Sequence, residues 1–186
     1  MLTLDVQEKM YTADDLLQLP HDQRHALVKG ELIEMSPTGR PHGLVVAELT
    51  FLLKEFVREH KLGQVYGAET GFKLAENPDT VYGIDASFVS KPRAQKGEGY
   101  FIGAPDLVVE VASPGNTKAE LHEKIINCFN VGARLIWVIY PKSRVIYVYA
   151  SPDSIAVRHE SDQLDGGEVL PGFSVSIGAL FAVLDD

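Results

Sequence analysis

The sequence predicts an α/β (α+β) protein in which a central mixed β-sheet is flanked by helices, with an accessory N-terminal hairpin and accessory C-terminal strands. Three observations predict it. Apolar residues recur every three to four positions through 45–56 and again through 121–129, which calls for two amphipathic helices. Between and around them lie β-branched runs such as "PDLVVEVAS" and "RLIWVIYP", too short for helices and apolar enough for strands covered on both faces. One helix separates those two runs, so they lie parallel through a crossover, while "RVIYVYA" follows the second after three turn residues and pairs back antiparallel.

The elements follow in order. "YTADDLLQLP" supplies Thr12 as an N-cap, Asp15 at the capping-box position and Pro20 as a stop, the outline of a short helix. "RHALVKGELIEMSP" carries two alternating stretches about Lys29-Gly30, a hairpin that ends at Ser36-Pro37. From Gly43 to about His60, Val45, Leu49, Leu52, Leu53 and Phe56 form the core stripe of the first long helix. "GQVYGAETGFKLAE" and "TVYGIDASFVS", separated by "NPDT", read as two successive strands in a hairpin. The strand "PDLVVEVAS" breaks at Ser113-Pro114-Gly115, and Leu121, Ile125, Cys128 and Phe129 mark the second helix, closing at Val131-Gly132. After the "RLIWVIYP" hairpin, "SIAVRHE" and "GEVLPGFSVSI" read as edge strands and "ALFAVL" as a short terminal helix. The apolar "GFSVSIGALFAVL" either finishes the core or forms part of an interface between copies.

The bulk composition bounds the function. With 186 residues, 45% of them hydrophobic, the chain suits one domain spanning 1–186. The start "MLTLDVQEKMYTADD" lacks a signal-peptide pattern and no apolar run is long enough to span a membrane, so a cytoplasmic protein with no membrane partner is expected. One cysteine, Cys128, rules out an internal disulfide framework and a cysteine zinc site. A net charge of −9 means that a polyanion partner needs a local basic patch or a bound metal. The densest candidate, Lys91, Arg93 and Lys96 in "KPRAQKGEGY", is otherwise an ordinary solvated loop. Lys54, Arg58, His60 and Lys61 read as the polar face and end of the first long helix.

Two letters are out of place. Asp85 interrupts "VYGIDASFVS" and Glu110 interrupts "PDLVVEVAS", and a buried carboxylate must be protonated, paired or holding a cation. If the two strands are neighbours, both acids converge and can hold a hard divalent ion; alternatively one is exposed and the other salt-bridged. Lys124 lies three residues after Leu121 and four before Cys128, on the edge of the inward stripe, either as a partner for these acids or with its head in solvent.

At these residues the chain resembles the Uma family of putative restriction endonucleases, a branch of the PD-(D/E)xK nuclease superfamily. The resemblance runs through "DDLLQLP", "GELIEMSPTGRPHGLVVAEL", "GIDASFVS", "PDLVVEVASPGNT", "EKIINCFNVGARLIWVIYP" and "LPGFSVSIGALF". It implies a restriction-endonuclease-like core and a DNA endonuclease dependent on Mg²⁺ or Mn²⁺. Asp85 and Glu110 match the acids of the two strand motifs and imply the metal ligands, with a main-chain carbonyl completing the set. The superfamily's usual lysine position, two after the glutamate, is Ala112, and Lys124 on the next helix matches the displaced lysine. The implied reaction is attack on a phosphodiester by water activated at the cation, with Lys124 stabilising the added charge. His42 matches a family histidine before the long helix, there to meet a phosphate or the metal through water, or else to cap or pack. Glu48, Glu69 and Lys73 are weaker candidates, Glu48 being equally a surface residue. Departures include His25-Ala26-Leu27 in place of Tyr-Glu-Leu and Cys128 in place of a helix tyrosine. The resemblance also implies a homodimer, since a duplex has two strands to cut. The rival readings are a catalytically silent binding or assembly module on the same fold, and a metal-dependent hydrolase of RNA or small phosphodiesters.

Overall fold

The computed structural model describes residues 9–20, 24–113, 115 and 117–185. Pro114 and the start of the chain, on which two of the readings above fall, lie outside these residues. Helix α1 (Ala13–Leu17) opens on a reciprocal capping box: the Asp15 amide donates to the Thr12 hydroxyl, and the Asp15 carboxylate accepts from the Thr12 amide at 2.8 Å. Strands β1 (His25–Val28) and β2 (Glu31–Glu34) pair antiparallel with Val28 facing Glu31. The two-residue loop between them places Lys29 and Gly30 at φ 51° and 81°, the left-handed pair that matches strand twist. Helix α2 (Arg40–His60) starts three residues before Gly43, because its first turn, with Pro41 where no helical N–H is required, carries none of the apolar period. Val45, Leu49 and Leu53 are fully buried, and each contributes about 1.5–3 kcal/mol by leaving water.

The next two segments depart from the expected simple hairpin. Each is broken, giving β3 (Gly63–Tyr66), β4 (Thr70–Ala75), β5 (Thr80–Ile84) and β6 (Ala86–Ser90). β4 pairs with β5 and β3 with β6, so two hairpins are nested, and the breaks fall at 67–69 and at Asp85. The inner pair belongs to a five-stranded sheet ordered β2-β1-β5-β4-β7, with β7 (Phe101–Ile102) parallel to β4. The outer pair belongs to a six-stranded mixed sheet ordered β11-β10-β9-β8-β6-β3. Its parallel step joins β8 (Leu107–Val111) to β9 (Leu135–Tyr140) through helix α3 (Lys118–Asn130), as the crossover reading expects. β10 (Val145–Ser151) and the edge strand β11 (Ser154–Arg158) continue antiparallel.

A separate ribbon pairs β12 (Gln163–Gly166), a polar strand that the sequence pattern does not reveal, with β13 (Leu170–Ser176). Helix α4 (Ile177–Ala182) follows. Leu170, Phe173, Ile177, Leu180 and Phe181 are buried against α2 and the six-stranded sheet, so this segment finishes the core. The sheet divides the core by alternation along β8. Leu107, Val109 and Val111 face α2 and α4, whereas Val108 faces Ile125 and Cys128 of α3 together with Phe72 and Ile84 of the five-stranded sheet. Glu110 falls in the Val108 row, the side that α3 covers.

Candidate active site

Strands β6 and β8 run antiparallel with Ala86 opposite Val109 and Ser87 opposite Val108. Continuing that register by one residue sets Asp85 opposite Glu110, and residues directly opposed across such a pair point to the same face. The Asp85 carboxylate is pinned there: its Oδ2 accepts from the Val111 amide at 2.8 Å and lies 3.1 Å from His42 Nε2, which the first turn of α2 carries. From the other side, Lys124 on α3 reaches Glu110 Oε1 at 2.6 Å and donates to the Gly83 carbonyl at 2.8 Å. Its ammonium also lies 5.4 Å from the centroid of the Tyr82 ring, within cation–π range.

Both members of the Lys124–Glu110 pair are largely removed from water, with side chains 15% and 13% exposed. Burial pushes the Glu110 carboxyl up to about 7; Lys124 opposes the rise and the charge on Asp85 adds to it. Burial also works against the Lys124 ammonium, yet the adjoining Glu110 carboxylate outweighs it and holds Lys124 above its ordinary value. The lysine is therefore a fixed positive charge, and Glu110 is a carboxyl whose ionised form is held under tension by its surroundings.

These groups border a cleft of about 1420 Å³ whose walls are α2, the β1–β2 hairpin, β5 and the start of α3. Asp85, Glu110, Lys124 and His42 all line it. Glu48 does not, for it lies six residues beyond His42, about 120° away around the helix. Glu69 lines the rim and forms an ion pair with Arg24. Lys73 is committed elsewhere, 3.2 Å from Glu76 and 3.3 Å from Asp79, where Asp79 also accepts from the Ala13 amide.

Two features of this region were not legible in the sequence. Lys29, at the β1–β2 turn, pairs with Glu123 of α3 at 2.7 Å and so bridges two walls of the cleft. Asp106, just before β8, is 1% exposed, accepts from the Ser90 amide at 2.8 Å and lies 3.2 Å from Arg93. Arg93 donates further to the carbonyls of Ala104 and Gly132, so the central cation of the "KPRAQKGEGY" loop braces the fold. No periodicity links residues 93 and 106, and only their folding partners reveal the pair.

Among the described residues no group of three or more His, Cys, Asp and Glu side chains is placed to hold a metal ion. A hard ion such as Mg²⁺ needs fewer protein ligands than that, being commonly held by one or two carboxylates with water completing the shell. The oxygen-only pair Asp85 and Glu110 fits that requirement, and the upward push of Asp85 on Glu110 is the repulsion that a cation would relieve.

A mixed sheet flanked by helices, with a strand acid facing another acid across a broken ladder, has the layout of a restriction-endonuclease-like domain. The Uma2 family model, described as a putative restriction endonuclease, matches residues 13–178. The chain belongs to this family. Its fold is that of a crystal structure described as a putative nuclease belonging to DUF820 from Anabaena variabilis, to which it is 21% identical with a TM-score of 0.81 over 93% of this chain and 98% of that one. No curated protein matches the chain.

Proposed function

We propose that this protein is a metal-dependent DNA endonuclease, one domain over 1–186, in which Asp85 and Glu110 hold a single Mg²⁺ or Mn²⁺ and Lys124 serves the scissile phosphate. The observation that carries the proposal is the meeting of the Glu110 carboxylate on β8, the Asp85 carboxylate at the joint between β5 and β6, and the helix-borne Lys124 ammonium along an open cleft. A bound cation supplies Lewis-acid polarisation at the phosphoryl group. The chain's own residues do the rest. The Val111 amide and His42 orient Asp85 from two directions, which leaves its carboxylate little rotational freedom. The Gly83 carbonyl holds the Lys124 ammonium beside Glu110, and its positive charge stands ready where negative charge grows on the phosphoryl oxygens during attack by water. Cutting both strands of a duplex calls for two such sites, so the proposal extends to a homodimer, which light scattering on the eluting protein checks.

The test is calorimetric titration of Mg²⁺ and Mn²⁺ into the wild type and into Asp85→Ala/Glu110→Ala, with cleavage of duplex and single-stranded DNA followed alongside. The proposal expects metal binding and cleavage in the wild type and neither in the double variant. Metal binding that survives the double substitution overturns the assignment. A second reading has its own support, since Lys124 already supplies Glu110 with a counter-charge and the fold can use that pair as a strut. On that reading the protein is a silent module, and the wild type cleaves neither DNA, RNA nor a small phosphodiester under any metal. Cleavage of RNA or the small ester alone moves the assignment to the corresponding hydrolase.

A further inference from the structure

We infer that the outward face of α2 is a docking surface for the phosphate backbone of a nucleic acid strand leaving the cleft. The inference rests on the nuclease reading above for the identity of the cleft, but its observations lie outside the catalytic cluster. At about 100° per residue, Arg40, Ala47, Phe51, Lys54 and Arg58 fall within roughly 60° of one another around the helix. All five are exposed, Phe51 at 59%. Ala47 also lines the cleft, so the stripe adjoins it. From Arg40 to Arg58 it extends about 27 Å at ~1.5 Å per residue, long enough to meet several phosphates.

Three features single this face out in a chain of net charge −9. First, its cations are available. Among the described residues Arg40, Lys54 and Arg58 have no carboxylate within 4.0 Å; other lysines and arginines such as Lys96 and Arg134 are unpaired too, but these three lie in one line along one helix. Second, the charges segregate around the helix: Lys54/Arg58 and Glu55/Glu59 are like-charge pairs four residues apart, offset in part by Glu55 and Arg58 three apart, and they form a basic line with an acidic flank. Third, Arg40 occupies the first turn, where the helix dipole disfavours a cation and no acid is present. An arriving phosphate would relieve both the Lys54/Arg58 repulsion and the misplaced Arg40. Phe51 in the middle of the stripe offers an apolar surface for sugar edges or an unstacked base.

The experiment is fluorescence anisotropy of a short labelled DNA duplex against salt, in EDTA and again in Ca²⁺, for the wild type, Arg40→Gln/Lys54→Gln/Arg58→Gln and Glu55→Gln/Glu59→Gln. Glutamine preserves helix propensity, so the fold is retained and circular dichroism verifies it. Removing three phosphate contacts is expected to weaken binding on the order of tenfold to a hundredfold at low salt and to flatten the log–log salt slope by about 3. The acidic-flank variant is expected to bind as the wild type does, or more tightly. An unchanged slope in the basic-face variant, an equal loss in the acidic-flank variant, or a wild type that binds no duplex overturns the inference. So does a Phe51→Ala change that abolishes self-association while leaving DNA binding untouched, since the face would then be an interface between copies. Flattened binding without Mg²⁺-dependent cleavage supports the docking face and sinks only the catalytic reading; cleavage with unaltered binding does the reverse.

Discussion

Replacing Lys124 by Met separates the electrostatics of the site from its packing, because it removes the counter-charge of Glu110 while keeping a stem of similar length. In the folded wild type Glu110 titrates at about 7, against an ordinary glutamate value of 4.5. That difference corresponds to about 3 kcal/mol at ~1.36 kcal/mol per unit. Because the folded value is the higher one, the contribution is fully present below the unfolded value, is lost as pH rises through about 7, and the stability then levels off. Without Lys124 the carboxyl rises further, so the variant goes on losing stability where the wild type has levelled. Near pH ~5 the acid is neutral in both proteins and the variant loses only the contact to Gly83, about 1 kcal/mol. Near pH ~8.5 it meets the full cost of a broken buried pair, about 3–5 kcal/mol. Glu110→Gln/Lys124→Met removes the titrating group and should show neither the extra loss nor its pH dependence. Urea denaturation in EDTA, followed through the fluorescence of Trp137, which is the single tryptophan and fully buried, reads all three proteins. A Lys124→Met variant whose deficit is the same at both pH values would refute the coupling.

Three further substitutions probe the supports of the site. His42→Ala removes a partner of Asp85 and should weaken Mg²⁺ binding by about tenfold to a hundredfold in calorimetry, with the urea midpoint little changed. Arg93→Ala strips the counter-charge from Asp106, which is 1% exposed, and leaves the Ala104 and Gly132 carbonyls without this donor; a loss of about 3–5 kcal/mol in urea denaturation is expected. Thr117→Ala deletes the capping box of α3, formed with Glu120. It should cost about 1 kcal/mol and speed amide exchange at the start of the helix that carries Lys124.

What the sequence makes legible is what local physics controls. The Thr12 capping box, the Lys29-Gly30 turn, the core stripe of α2 and the parallel β8–β9 step each follow from residues close together in the chain. The nested hairpins escape because a strand that changes sheets looks, residue by residue, like one continuous strand. β12 escapes because "QLDG" has no apolar alternation. The same division runs through the site. Asp85, Glu110 and Lys124 stand out as charges in apolar company. Arg93–Asp106 and Lys29–Glu123 join residues whose patterns say nothing of one another.

The nested hairpins also explain why an acid stands at position 85. If β6 continued along β8, Ile84 would face Val111 and the ladder would satisfy the amide there. Instead the chain turns into the five-stranded sheet at Ile84, and a buried N–H cannot be left without an acceptor. Asp85 Oδ2 takes that hydrogen bond. The carboxylate therefore serves the fold before it serves any ligand, so loss of metal binding in Asp85→Ala mixes a broken ladder with a missing ligand. Asp85→Asn parts the two, because its amide oxygen can still accept from Val111 while the negative charge is gone. A variant that folds like the wild type but no longer binds Mg²⁺ would place the ligand role on the charge at the joint between the sheets.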